Sequence, residues 1–172
     1  MRCDILVLGG GAAGVMAAVT AKRLYPDKDV ALVRPDPEAV VPCGIPYIFG
    51  SLDSARKNIL PDKPLENLGV ARVIDEVTSI DTENKRVQLK KGEPIEYDRV
   101  LIGTGSEPAR LPIEGIDLEG VWVVRKSLAY LEKLREAVMA ASRIVIIGGG
   151  FIGVEFADDI SLLEGKEVHV VE

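Results

Sequence analysis

Ile5-Leu6-Val7-Leu8-Gly9-Gly10-Gly11-Ala12-Ala13-Gly14 decides the fold, because its pattern returns near the other end of the chain as Ile144-Val145-Ile146-Ile147-Gly148-Gly149-Gly150-Phe151-Ile152-Gly153. Each short apolar run predicts a buried strand, and each set of glycines a tight turn. A helix follows in each copy, over Val15 to Leu24 in the first and to about Leu163 in the second. Both copies close on a further apolar run, Val30 to Val33 and Val168 to Val171. Two βαβ halves with parallel strands are therefore expected.

The residues between the copies have a different texture. Pro35 to Pro64 is rich in proline and reads as loops with a short helix. Val73 to Ile80 and Lys85 to Leu89 alternate like strands, and Asp81 to Asn84 is the turn of an antiparallel hairpin. Asp98 to Ile102 reads as another buried strand, ending at Gly103-Thr104-Gly105. Pro108 to Glu119 has the composition of a linker. Ser127 is placed to cap an amphipathic helix whose Leu128, Leu131, Leu134 and Val138 share one face.

The chain has 172 residues, 47% of them hydrophobic, enough for an ordinary core. A formal net charge of -6 argues against a nucleic-acid partner, since nothing would offset repulsion from phosphates. The most apolar stretch, Ile144 to Val154, is too short and too rich in glycine to span a bilayer, and no signal-peptide pattern opens the chain, so the cytoplasm is the expected compartment. Cys3 opens the first strand and Cys43 follows the second. If Cys43 lies near the glycine turn, a strand length of roughly 15–20 Å separates the two sulfurs, beyond what a disulfide bridges. Two free thiols are expected, with Cys3 a small buried hydrophobe. No metal site is expected.

The GxGxxG spacing carries chemistry when it joins a strand to a helix. Gly9 and Gly148 serve the turn, Gly11 and Gly150 let the backbone approach a pyrophosphate, and Gly14 and Gly153 allow close packing of helix on strand. A diphosphate then rests on the helix N-terminus, at Ala12 and Ala13 in the first copy and at Phe151 and Ile152 in the second. Glu172, at the end of the last strand, is placed to accept a ribose hydroxyl and so suggests NAD rather than NADP. The first copy departs from this rule, with Arg34 where the second has Glu172. An arginine cannot accept a hydroxyl proton but can lie against adenine or meet a phosphate, and Asp36 is the candidate to take over the acidic role.

Three segments, in order, carry a family resemblance that covers the whole chain. Val41-Pro42-Cys43-Gly44-Ile45-Pro46-Tyr47 resembles the active-site segment of the single-cysteine pyridine nucleotide-disulfide oxidoreductases, the group of CoA-disulfide reductases, NADH oxidases and NADH peroxidases. Tyr97-Asp98-Arg99-Val100-Leu101-Ile102-Gly103-Thr104-Gly105-Ser106 resembles the second flavin motif, with Gly103 replacing the usual alanine. Gly150-Phe151-Ile152-Gly153-Val154-Glu155 matches the NAD fingerprint. The resemblance implies an α/β fold: a Rossmann-like, three-layer FAD-binding domain with an antiparallel hairpin over residues 1–110, then an incomplete NAD(P)-binding βαβ unit over 111–172. Helices are expected on both faces of an open, mostly parallel sheet. A lone βαβ half does not bury both faces of its sheet, so the second unit reads as truncated and the chain as the front part of a longer protein.

The resemblance also implies roles. Cys43 would be redox-active beside the flavin, near Thr104. Pro42, Val77 and Gly105 join the glycine turn, Arg34 and Asp36 in the FAD set, and NAD(P)H is the second cofactor. With no CxxxxC, the second sulfur must come from a small thiol such as CoA, or be replaced by oxygen. Pro42 at a helix start would place Cys43 where the helix dipole favours a thiolate. Ala12 stands where the peroxidases carry histidine, and the single histidine, His169, is read as structural. This favours CoA-disulfide reduction over peroxide cleavage, with NADH oxidation or a noncatalytic nucleotide-binding module as alternatives. Lys22, Arg23 and Lys63 match basic positions of a CoA diphosphate site, and a homodimer is expected of the full-length protein.

Overall fold

The computed structural model describes residues 1–109 and 112–172. The expected domain border at residues 110 and 111 lies outside the described residues. The elements run β1 (Arg2–Leu8), α1 (Ala12–Leu24), β2 (Val30–Arg34), β3 (Ala39–Val40), 3-10 helices at Pro42–Ile48 and Ala55–Asn58, β4 (Ile59–Leu60), α2 (Lys63–Asn67), β5 (Ala71–Ile74), β6 (Val77–Asp81), β7 (Arg86–Leu89) and β8 (Ile95–Ile102). They continue with α3 (Leu128–Ala140), β9 (Arg143–Ile147), α4 (Phe151–Ser161) and β10 (Glu167–Val171). Two compact units result: Met1–Ala39 with Leu60–Ser106, and Val40–Ile59 with Glu107–Glu172. By packing, the cysteine-bearing stretch belongs to the second unit, although its place in the chain puts it within residues 1–110.

The first unit is built on a six-stranded sheet ordered β5-β2-β1-β8-β7-β6. β1 lies parallel between β2 and β8, while β7 pairs antiparallel with β8 and β6. Alternation along the central strands sends side chains to opposite faces. Val7 and Leu32 join Val15, Ala18 and Val19 of α1 and Leu65 of α2 on one face. Leu6, Leu8, Ala31 and Val33 meet Val87, Ile95 and Tyr97 on the other. The three layers are thus helices, parallel sheet and antiparallel strands. The expectation of helices on both faces does not hold for this unit: the hairpin covers the second face.

Two further expectations change. The run Val73 to Ile80 is two strands, not one. It breaks at Asp75, whose carboxylate accepts N–H groups from Glu76 at 2.7 Å, Gly92 at 2.7 Å and Lys91 at 3.1 Å. Residues before the break pair with β2, and those after it pair with β7. Leu101 and Ile102 are exposed rather than buried, because β7 pairs with β8 only at Ile95 and Glu96 and leaves that edge of its later half open.

In the second unit β9 and β10 pair in parallel, register Ile144 with Val168 and Ile146 with Val170. The face predicted for α3 is its buried face: Leu128, Leu131, Leu134 and Val138 pack with Phe156, Ile160, Ile45, Ile48 and Phe49. Ser127 occupies the N-cap, but its side chain makes no capping bond; only its carbonyl accepts, from Leu131 N–H at 3.0 Å.

Both helices that follow the glycines start earlier than the apolar pattern shows, at Ala12 and at Phe151, directly after the second glycine of each motif. A Cβ added at Gly14 would stand 1.9 Å from the Gly9 carbonyl oxygen, and one at Gly153 equally 1.9 Å from that of Gly148. Gly14→Ala should therefore destabilise the first unit by about 1–3 kcal/mol, the usual range for overpacking against a backbone that cannot yield. Chemical denaturation read through a unit 1 probe tests this, and a loss below about 0.5 kcal/mol would contradict the packing described.

Candidate nucleotide and thiol site

The two glycine turns are near duplicates in backbone geometry. Gly9 and Gly148 have φ of 109° and 110°, a region that side chains rarely adopt. Gly11 and Gly150 are N-caps with φ/ψ of -73°/-174° and -70°/178°. Each accepts the first helical bond, from Val15 at 2.9 Å and Val154 at 3.0 Å, so the N–H groups ahead of these have no partner within their helices. Beside Gly11 and Gly150 a Cβ would meet nothing within 4 Å. Free donors, open space and the positive end of a helix dipole are what a diphosphate requires, so both turns fit a dinucleotide. Ala12, Ala13, Phe151 and Ile152 line the helix starts and are exposed.

Strand register brings the first set together. Leu8 lies opposite Val33 on one side and Ile102 on the other, so Gly9, Arg34 and Gly103 leave the same edge of the sheet. Gly103 N–H donates to the Leu8 carbonyl at 2.7 Å, and its own oxygen lies where a Cβ on Gly9 would be, 2.1 Å away. An alanine at 103 would find only ordinary contacts, 3.5 Å and beyond, so the exchange of alanine for glycine is not forced by space. Thr104 and Gly105 follow and are exposed.

Arg34 is 2% exposed. Its stem lies on the glycine turn, where a Cβ at Gly10 would come within 2.2 Å of its Cδ. Its head turns to Asp62 before α2, donating from Nη1 at 2.8 Å and from Nη2 at 2.5 Å, and also to the Pro37 carbonyl. Arg72 pairs with Asp62 and, at 2.8 Å, with Glu66. Burial pushes the Asp62 carboxyl up, but the hydrogen bonds and charges of Arg34 and Arg72 outweigh it and hold it below the usual carboxylate range. The acidic partner of Arg34 is thus Asp62, while Asp36, two residues past Arg34, is half-buried. Arg34 Nε is buried and has no hydrogen-bond partner among the described residues. In the second unit Glu172 does what a carboxylate at that position can do and accepts the Gly149 N–H.

The turn that carries Cys43 is a seven-residue 3-10 helix, Pro42–Ile48, with Pro46 inside it. Cys43 is exposed and free; Cys3 is free and buried, and burial, then Asp4 and Asp29, push its thiol up to about 11. Three side chains from three other elements fix the backbone around Cys43. Asn58 Nδ2 donates to the Val41 carbonyl at 2.9 Å, and Asn58 Oδ1 fills the space beside Gly44, 2.0 Å from a Cβ there. Arg135 Nε donates to the Ile48 carbonyl at 2.9 Å. Asp159 of α4 accepts from Phe49 at 3.1 Å, Gly50 at 2.8 Å and Ser51 at 2.8 Å. Burial raises the Asp159 carboxyl, yet the bonds from Ser51, Gly50 and Phe49 hold it below the usual range. Nearby, the Glu155 charge and then burial push the Tyr47 phenol up.

Sequence reasoning missed Asn58, Arg135 and Asp159. Asp159 did leave a signal, since it sits on the apolar stripe Phe156–Asp159–Ile160 of α4, where a polar residue needs partners. Of the basic set, Lys22 Nζ donates to the Pro26 and Lys28 carbonyls at 2.9 and 2.7 Å and so closes the end of α1. Arg23 and Lys63 are exposed on α1 and α2, and Val77 is half-buried against the hairpin core. His169 meets Glu167 at 2.9 Å on β10. A cavity of about 430 Å³ lined by Glu107, Trp122, Arg125 and Tyr130 includes no residue of either glycine turn. Among the described residues there is no metal-binding cluster, and no helix is long and apolar enough to cross a membrane.

Two strand-turn-helix units with matched diphosphate cradles, joined to a turn bearing an exposed cysteine, define a chain of the two-dinucleotide redox class. Residues 3–172 match the pyridine nucleotide-disulphide oxidoreductase family, and the chain belongs to it. It is 34% identical to an NAD(P)H coenzyme A polysulfide/persulfide reductase of Pyrococcus horikoshii, over 99% of this chain and 40% of the relative. It is 33% identical to an NADH oxidase of Methanocaldococcus jannaschii, over 97% of this chain and 39% of the relative. Among solved structures, an NAD-dependent persulfide reductase from A. fulgidus superposes with a TM-score of 0.83 at 31% identity, over 99% of this chain and 34% of that one. The chain therefore spans about 40% of the length of the curated relatives it matches.

Asp159 generates a prediction on acid stability. Because its folded carboxyl is held below the unfolded value of 3.8, its contribution is complete above that value and is lost as pH falls through the lower folded value. Asp159→Asn should cost about 1–3 kcal/mol at pH 7, the range for leaving buried donors unmet, and the gap to the parent should narrow below pH 3.8. Denaturant unfolding at pH 7 and pH 3 measures both; a gap independent of pH would refute the ionised clamp.

Proposed function

We propose that this chain is the nucleotide- and thiol-bearing part of a flavoprotein that uses NAD(P)H to reduce a small disulfide or persulfide, most like a CoA-disulfide reductase. The observation that carries the reading is the pairing of two diphosphate cradles with one exposed cysteine on a braced turn. FAD is assigned to Gly9–Gly14 with Thr104 and Gly105, and NAD(P)H to Gly148–Gly153 with Glu172. Bound FAD supplies a two-electron relay between reduced nicotinamide and sulfur. The chain's own part is to bind both diphosphates on helix N–H groups, to accept a ribose hydroxyl at Glu172, and to offer the Cys43 sulfur to an incoming disulfide. With one cysteine, the mixed partner is a small thiol, for which Arg23 and Lys63 are the remaining diphosphate contacts, Lys22 being engaged at its helix end.

Oxygen as the acceptor is the second reading, supported by the relative named an NADH oxidase. A cytoplasmic homodimer of the full-length protein, without nucleic-acid or membrane partners, completes the proposal.

In the full-length protein, Cys43→Ser should lower CoA-disulfide or persulfide reduction on the order of a hundredfold or more, because a protonated hydroxyl cannot form the mixed disulfide. FAD content should stay near that of the parent, and NADH oxidation that releases hydrogen peroxide should persist or rise. Assays of both activities, with flavin absorbance per chain, decide it. Undiminished disulfide reduction by the variant would remove Cys43 from the reaction.

A further inference from the structure

The strongest feature outside the nucleotide cradles is the set of hydrogen bonds at the far end of the cysteine turn. Asp159 is 1% exposed and spends its carboxylate on three consecutive backbone N–H groups, Phe49, Gly50 and Ser51, more than a hundred residues earlier in the chain. Phe156, one turn before it on α4, meets the Phe49 ring at 5.7 Å between centroids, tilted by 53°. Gly50 has no alternative, since a Cβ there would come within 2.6 Å of the Asp159 carbonyl oxygen. The seven-residue helix that starts beside Cys43 therefore ends on a fixed anchor, and that anchor is the same helix that begins at Gly150. At the near end Asn58 fixes Val41 and Gly44, the residues on either side of Pro42 and Cys43. A 3-10 helix holds itself with few and poorly aligned bonds, so its placement depends on such external contacts.

We propose that Asp159 is the positioning residue for Cys43: by gripping the amides of Phe49 to Ser51 it ties the thiol's turn to the helix of the second glycine fingerprint and sets where the sulfur stands. A carboxylate suits the task because three donors need an acceptor with two oxygens and no hydrogen of its own. The proposal rests on the reading of Cys43 as the reactive thiol for its consequence in turnover, but not for its geometry.

Cys3 supplies an internal control, since a buried thiol is labelled only when the chain opens. The experiment compares the parent with Asp159→Ala, Asp159→Asn, Asp159→Glu and the exposed neighbour Asp158→Ala. Iodoacetamide labelling of this chain is followed by peptide mass spectrometry across pH 6–10, well below the unfolding temperature, and turnover is measured in the full-length protein. Asp159→Ala should change the rate or the pH midpoint of Cys43 labelling by at least about threefold, leave Cys3 unlabelled, and lower kcat about 10- to 100-fold with little change in KM for NADH. Asp159→Asn should fall between Ala and parent, Asp159→Glu should recover part of the loss, and Asp158→Ala should match the parent. If Asp159→Ala exposes Cys3, Asp159→Asn carries the same comparison.

A folded Asp159 variant with silent Cys3 and an unchanged Cys43 labelling profile would overturn the proposal and leave Asp159 as a packing contact. Altered labelling with unchanged kcat would uphold the geometry and instead remove Cys43 from catalysis, the outcome that Cys43→Ser tests separately.

Discussion

Everything in the two nucleotide cradles follows from one close approach. The third glycine of each motif has the first glycine's carbonyl oxygen where a Cβ would be, so the helix can begin only with its first turn pressed onto the end of the strand. That contact places unpaired N–H groups at the C-terminal edge of the sheet rather than in solvent beyond it. Parallel register does the rest, because Val33, Leu8 and Ile102 end level and their successors Arg34, Gly9 and Gly103 must crowd into one place. The face at this edge of the sheet is thus a consequence of helix-on-strand packing, and a methyl group at the third glycine would force the two apart.

The slot beside the middle glycine shows how a shared backbone can carry opposite chemistry. Arg34 leans on Gly10 and Glu172 on Gly149, the first as the last residue of β2 and the second as the residue just after β10. Glu172 keeps its acceptor oxygens at the turn. Arg34 turns its donors away to Asp62, so the first slot is filled by a neutralised pair whose acceptor lies just before α2. The slot beside Gly10 therefore holds an arginine stem, where the slot beside Gly149 holds a carboxylate.

What the sequence made legible was local. The repeat, the α3 face and the unpaired state of the two cysteines all follow from periodicity or strand length, which neighbouring residues encode. The break at Asp75 escaped because alternation continues through it; only the amides of Lys91 and Gly92, sixteen or so residues on, reveal that the strand has ended. The bracing of Cys43 escaped for the same reason at greater range. Asn58, Arg135 and Asp159 are ordinary residues in their own segments and acquire meaning only from the turn they meet. Arg34 was placed at the right slot, but its ion pair with Asp62 escaped, because Asp62 lies twenty-eight residues on and meets it only through a fold contact.

Asp159 illustrates why a buried charge can be retained on an apolar stripe. An isolated carboxylate among Phe156, Ile160 and Phe49 would lose its hydration and take up a proton. Three converging N–H donors reverse that preference, because each bond is stronger to the anion than to the neutral acid. An amide in its place would turn an NH₂ group toward at least one of those donors, so the charge is required by the pattern of donors and not by any counter-ion. Without Asp159 the amides of Phe49, Gly50 and Ser51 would lose the acceptor they meet past the end of the 3-10 helix. Carboxylate and turn therefore satisfy each other across more than a hundred residues of chain.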